Sequence, residues 1–462
     1  RPVYPYNYGI VNRQGIKFQA SSANPFASSR LYRMELDTTQ LFNSPFKRSQ
    51  DINSVGGIVE FNPTVTFTDS TVYYWRVAPI PQTGSPNWNK ASFVYLPGPE
   101  TGFNQSHYFQ HNESSLKRMH LIPQNREWVY DSVPHFIFAK NGVFGTSSGQ
   151  EGDFIVAPDG SAYIRSACVG FSLIFNILDP KSFTATTNPS IYMGSAAVCT
   201  PSRLWNFEWS HLNFTERKKM MDFMDSIPAG KIVVVRNILN AGLTTGFINE
   251  WKNDTLLYGS GNSLYHKLKA VGMNVLDSFT TSRAMIFAYQ KGNPNFPPQG
   301  VVSAGVYDLV TLNVNLKTPD SIGYVTSALY GRAKAWKDLK WRGAADLPTD
   351  TATVDVIGVM NDATEHVLFS GLTTAQQDVD ISSINAIDYP FLKLKLYTKD
   401  KNNYTPYQLK YWRVTYDPVP EGAIAPNLFV SLRDSVEVGE PLDFRVAFKN
   451  ISDVPFDSIK LK

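Results

Sequence analysis

One short phrase occurs twice in this chain and constrains its fold more than any other feature. Tyr73-Tyr74-Trp75-Arg76-Val77 closes one β-rich stretch, and Tyr411-Trp412-Arg413-Val414 closes another; Pro79 and Pro81 follow the first, Pro418 and Pro420 the second. Alternate residues of a strand point to opposite faces, so each phrase sets an aromatic toward a core while its neighbour faces water. Two such endings predict a string of separate β-sandwich modules in place of one enzyme core. At 462 residues the chain exceeds what one hydrophobic core organises, and about three domains are expected.

The texture along the chain predicts five segments. Residues 1–97 read as a β-sandwich, with alternation over Gly15–Ala20, Arg30–Asp37 and Val72–Val77 separated by turn-rich stretches. Residues 98–133 read as a junction, opened by Pro97-Gly98-Pro99. From 134 to 292 the pattern becomes strand, helix, strand, helix, strand. Thr215 is placed to cap a helix that buries Met220, Phe223, Met224 and Ile227, and Lys231–Val235 is a short apolar strand of the kind buried on both faces. A second helix near Asn262–Val271 turns Leu264 and Leu268 inward, and a strand over Ala284–Tyr289 follows. This order predicts a mixed sheet with packed helices, an α/β domain between mainly β modules. Residues 293–420 return to β alternation, clean in Thr351–Val359 and Phe391–Tyr397, where Lys393 and Lys395 suit a guarded edge. Residues 421–462 read as a module cut short, and the chain, which starts without Met and stops inside a strand, reads as an excerpt of a longer polypeptide.

Charge and composition exclude some functions. A net charge of +3 with no Lys/Arg block leaves nothing to neutralise a run of phosphates, so nucleic acid is not an expected partner. No apolar run is long enough to span a bilayer. Cys168 and Cys199 form either one bridge or two buried thiols. His211 lies twelve residues beyond Cys199, but nothing in the sequence brings them together as a nucleophile and base. No Gly-rich nucleotide fingerprint precedes a helix, and neither catalytic residues nor a cofactor are expected.

Three groups remain as binding candidates. His107 and His111, four apart, would share one face of a helix as weak metal ligands, though the Glu that would make a catalytic motif is missing; polar packing at a junction is the alternative. Trp336 and Trp341, five apart on opposite faces of a strand, offer a sugar-stacking platform or, alternatively, one core residue and one module contact. Arg236, Asn237, Trp251 and Arg283 flank the ends of the central α/β strands, where open sheets place ligands; the alternative is ordinary edge residues.

Several of these stretches resemble known families. Leu31–Thr38 together with Thr71–Val77 is similar to fibronectin type III-like modules of secreted bacterial proteins. The progression Pro228–Val235, Leu268–Gly272 and Met285–Gly292 resembles the interleukin-like EMT-inducer domain, which implies a non-catalytic, ligand-binding unit that in some members takes sugars. Members carry Trp-Arg-Asp before the last strand and an Asp after the Val-rich one; here Thr281-Ser282-Arg283 and Asn237 stand instead, so neither the aromatic nor the carboxylate that the resemblance implies for a sugar is in its expected place. Ala425–Leu432 with Val436–Asn450 resembles the opening of an adhesion-type immunoglobulin-like module.

Together the segments look like the downstream half of large Bacteroidetes surface proteins, the PorU-like, gingipain-type sortases of the type IX secretion system. That resemblance implies a cysteine peptidase domain upstream and an extracellular or cell-surface setting. The chain itself would then be a non-catalytic interaction region for a protein or glycan partner. The alternatives are a carbohydrate-binding region of a secreted polysaccharide-degrading enzyme and a passive spacer.

Overall fold

The computed structural model describes residues 1–22, 24–142, 151–165, 171–188, 204–238, 244–452 and 454–458. It is mainly β and divides into two compact units, one made of Arg1–Asp131 with Ser321–Lys462 and the other of Ser132–Asp320. The second unit is thus inserted in the sequence of the first. The five-segment division differs from this: Val310–Pro319, assigned to a downstream sandwich, pairs along its length with Ser132–Asn141 inside the inserted unit.

The discontinuous unit is organised by a nine-stranded sheet. One half of that sheet runs through Arg48–Ser54, Arg30–Asp37, Thr71–Pro79 and Asn89–Tyr95 and forms a sandwich with a three-stranded sheet of Pro2–Tyr4, Phe18–Ser21 and Ile58–Phe61. Trp75 lies wholly inside this core, its ring edge-on to Phe18 at 5.2 Å and its indole N–H donating to the Pro5 carbonyl at 3.3 Å. The other half carries Gln408–Pro418, Ala333–Ala344 and Asp378–Asp380, and its core is shared with strands of a six-stranded sheet that includes Ile322–Thr326, Phe391–Lys399 and Thr351–Val359. The two Tyr-Trp-Arg-Val phrases therefore occupy one sheet, where two separate ones were expected.

The strand that joins the halves is Gly102–Gln105, in the stretch read as a junction. All four of its residues are buried, and its polar side chains are used: the Trp412 indole donates to Gln105 Oε1 at 2.7 Å, and Arg413 Nε to Asn104 Oδ1 at 3.1 Å. Gly102 has a φ of +151°, and a Cβ there would lie 2.1 Å from the Val414 carbonyl oxygen, so only glycine admits this close approach. Phe391–Lys399 is central in its sheet, hydrogen-bonded on both sides, so Lys393 and Lys395 guard no edge; Lys393 pairs with Glu365, and Lys395 lies 5.0 Å from the Tyr324 ring.

Residues beyond Pro420 lean on the first sandwich. Asn427 clamps the backbone of Ile58, donating to its carbonyl at 2.9 Å and accepting from its N–H at 3.3 Å, and Ala425 and Ile451 close a small cluster with Ile58. A second ribbon, Val430–Leu432 with Phe444–Val446, leaves Leu432 and Phe444 about half exposed, at 53% and 52%.

In the inserted unit a five-stranded sheet, ordered Phe207–Ser210, Ser172–Leu178, Ile232–Ile238, Met285–Gln290, Gln299–Val302, packs helices Phe214–Ser226, Thr245–Asn253 and Leu264–Ala270 on one face. The other face packs against a four-stranded sheet built on Ser132–Asn141 and Val310–Pro319. Every pairing in the five-stranded sheet is antiparallel, not mixed as expected. The apolar run at Ile232–Val235 reflects burial on two faces, and covering layers produce that burial whatever the strand direction. The first long helix is capped by Asn213, whose Oδ1 accepts from the Thr215 N–H at 2.8 Å, and not by Thr215 itself. A buried bidentate pair, Arg217 to Asp254 at 2.6 and 2.8 Å, ties that helix to the end of the next.

Candidate functional site

A cavity of about 590 Å³ lies in the first sandwich between the two sheets. It is bounded where Phe18–Ser21 ends, where Arg30–Asp37 begins and where Thr71–Pro79 runs out. Its lining includes Ala20, Val59 and Val77, inward positions of their strands, and Ala78 near the end of Thr71–Pro79, all almost fully buried. Its rim is polar and basic, with Arg1, Arg30, Asn24, Asn87 and Asn89. No carboxylate lines it among the described residues, and Arg30, exposed at the start of its strand, makes no ion pair there.

Hydrogen bonds tie the described residues of the rim to one another. The Phe26 N–H donates to Asn24 Oδ1 at 3.0 Å, the Gly57 N–H donates to Ser22 Oγ at 2.8 Å, and the Gly56 N–H donates to the Ala27 carbonyl at 2.9 Å. A Cβ on Gly56 would meet the Asn24 carbonyl oxygen at 2.2 Å, so the loop seats directly against that glycine. Sequence reasoning missed this site because its residues stand at the ends of strands scattered over the first ninety positions. The only local signs were Arg30 opening an alternating strand and the amides Asn87 and Asn89 in a turn.

The predicted rim of the inserted unit is interior. Arg236 is fully buried between the two sheets. Register explains its company: Glu208 and Arg236 both stand opposite Ile174, one on each neighbouring strand. Its Nε and Nη2 each lie 3.3 Å from an amide oxygen, of Asn176 and Asn206, while Nη1 has no partner. Burial lowers the guanidinium pKa to about 10, with the Glu208 charge working in the opposite direction. Asn237 is a strand-to-strand tie: it accepts from the Met285 N–H at 2.7 Å and donates to the Arg283 carbonyl at 2.9 Å. Trp251 is buried under the helices with its ring 5.5 Å from that of His211, and Arg283 is half-buried. The four do not converge on an open surface.

Trp336 and Trp341 are also interior, at 2% and 0% exposure. Five residues apart they would alternate, but three steps from Trp336 to Leu339 oppose only two from Tyr416 to Val414. This bulge inserts one residue and turns both rings into the same core. Neither presents a face to a sugar.

His107 and His111 do not share a helix face. The helix is the single turn Tyr108–His111, with His107 at its extended N-cap, its ring nitrogen 2.9 Å from the Tyr74 hydroxyl. His111 is buried beside Trp128 and Trp412, 5.5 and 6.0 Å between ring centroids, with neither ring nitrogen partnered. Burial, and then the His107 charge, push its imidazole down to about 3, so it is neutral at physiological pH. No cluster of three or more metal-ligating side chains occurs among the described residues. Cys168 and Cys199 lie outside the described residues. No helix among the described residues is long and apolar enough to cross a membrane, which bears only on helical spans.

No family model matches the chain, and no curated protein matches it. Among solved structures it aligns with one described as the structure of infectious bursal disease virus Gt strain, at 11% identity over 68% of this chain and 71% of that one. The TM-score of that alignment is 0.15, so the likeness carries no argument about fold or function.

Proposed function

We propose that this chain is a non-catalytic interaction region of a large cell-surface or secreted protein, binding a protein or glycan partner on behalf of a gingipain-type cysteine peptidase upstream. The observation that carries the reading is the cleft of the first sandwich: about 590 Å³, and edged by basic and amide side chains. A volume of that size falls in the range of about 300–1,000 Å³ used by small-ligand sites. A passive spacer needs no such cavity. The carbohydrate-binding alternative relied on Trp336, Trp341 or Trp251 as a stacking platform, and all three rings are interior.

The test is to probe the whole chain with a glycan array and a peptide panel, and to assay it for peptide hydrolysis. Saturable binding to either panel that is lost in Arg30→Glu supports the reading. Binding to neither panel, or hydrolysis by the chain alone that one substitution abolishes, overturns it.

A further inference from the structure

We propose that the outer face of the six-stranded sheet binds a linear acidic polysaccharide, one whose sugars carry carboxylates, laid across the strands. This surface shares no residue with the cleft of the first sandwich. Phe391–Lys399 turns Leu392, Leu394, Leu396 and Thr398 inward, which leaves Lys395, Tyr397 and Lys399 partly exposed on the opposite face. Register carries that face across five strands: Lys117 stands beside Tyr324, Tyr324 beside Tyr397, Tyr397 beside Thr353, and Thr353 beside Thr373. Neighbouring strands are about 4.8 Å apart, so this row runs roughly 19 Å, the reach of several linked sugars.

The side chains of the row select the ligand. The rings of Tyr324 and Tyr397 lie 5.3 Å apart, tilted by 45°. Lys395 Nζ stands 5.0 Å over the Tyr324 ring, whereas among the described residues no cation covers Tyr397, which keeps that ring for the C–H face of a sugar. Cations flank the row on both sides: Lys399 follows Tyr397 by two residues on the same face, Lys395 precedes it by two, and the exposed Lys117 closes one end. None of the three makes an ion pair among the described residues. An extended uronate chain whose sugars alternate in facing presents carboxylates to both sides, where these ammonium groups stand. Asp355, opposite Lys395, accepts from the Gly371 N–H through Oδ1 at 2.8 Å and leaves Oδ2 to accept a sugar hydroxyl. The same carboxylate repels the phosphates of a nucleic acid. An acidic peptide fits less well, because Phe391–Lys399 is paired on both edges and offers no backbone groups to the N–H and C=O of a peptide lying on its face.

The experiment titrates the whole chain by fluorescence polarisation with labelled hexamers of galacturonate, mannuronate and hyaluronan, with cellohexaose, poly-glutamate and oligo-dT as comparators. The expected result is saturable binding of at least one uronate hexamer, weakened about tenfold or more by Tyr397→Ala and by Lys399→Glu, retained in Tyr397→Phe, and reduced when salt rises from about 50 to about 500 mM. Both positions are partly exposed, so an unchanged urea-unfolding transition separates lost binding from lost fold, and Lys399→Glu decides alone if Tyr397→Ala shifts that transition. Arg30→Glu, at the cleft, should leave this binding unchanged, so the two surfaces hold or fail independently. The proposal is overturned by saturable binding of none of the three hexamers, by equal binding of any comparator, or by insensitivity to Lys399→Glu. Loss of binding in Arg30→Glu would place the sugar in the cleft and overturn it as well.

Discussion

His111 gives the sharpest test of how the discontinuous unit is packed. Its imidazole is 3% exposed, lies edge-on to Trp128 and tilted to Trp412, and has neither nitrogen hydrogen-bonded. In the native protein burial holds it neutral down to about pH 3, against 6.5 for an ordinary histidine. Between those values the unfolded chain takes up a proton that the folded chain refuses. Stability therefore falls as pH drops through that window and is independent of this group above it. Each pH unit is worth about 1.4 kcal/mol, so acidification from neutrality to pH 5 removes about 2 kcal/mol through His111 alone. His111→Leu deletes this term. Any repacking cost of the leucine is the same at both pH values and cancels in the difference. Urea unfolding followed by tryptophan fluorescence at pH 7 and pH 5, in wild type and His111→Leu, measures it. Equal loss of stability in the two proteins would refute the reasoning, as would an NMR titration of the His111 ring with a midpoint near 6.

Other expectations concern the seams and the second unit. His211, buried beneath the helices and pushed down to about 4, gives the inserted unit an acid sensitivity of its own, which His211→Leu should remove without altering that of His111. Arg217→Met leaves Asp254 buried without its partner and should cost about 3–5 kcal/mol in denaturant unfolding, whereas joint replacement with Asp254→Leu recovers most of it. Trp341→Ala should cost about 3–5 kcal/mol as a core truncation while leaving binding at the first-sandwich cleft unchanged in a polarisation titration. Gly102→Val, forcing a Cβ onto the Val414 carbonyl, should open the joint between the two halves of the nine-stranded sheet and expose 98–106 to limited proteolysis.

Regular alternation was legible in the sequence. Arg30–Asp37 and Thr351–Val359 are strands with the boundaries that their apolar pattern implied, and Met220 and Met224 face the sheet from their helix as spaced. What could not be read was long-range pairing. Asn104 and Gln105 look like linker residues because their polar groups find partners more than three hundred positions away, in Arg413 and Trp412. A single inserted residue between Trp336 and Leu339 reversed the facing of Trp341, and no local signal marks that bulge. Arg236 suggested a rim because a charge follows an apolar run; the second sheet that covers it comes from Ser132–Asn141 and Val310–Pro319, segments with no sequence cue linking them. The cleft lay outside what alternation can show, since it is built where alternation stops.

The hydrogen bond from Trp412 to Gln105 spans 307 residues of chain. At about 5–20 residues per second, a ribosome needs roughly 15–60 s to make that stretch. Throughout that interval Gly102–Gln105 has one sheet edge without its final neighbour, and before it ends all of 132–320 has been made and can settle into its own core. The nascent polypeptide can finish its middle before its beginning, and the edge beside Gly102–Gln105 waits for a neighbour made only near the end.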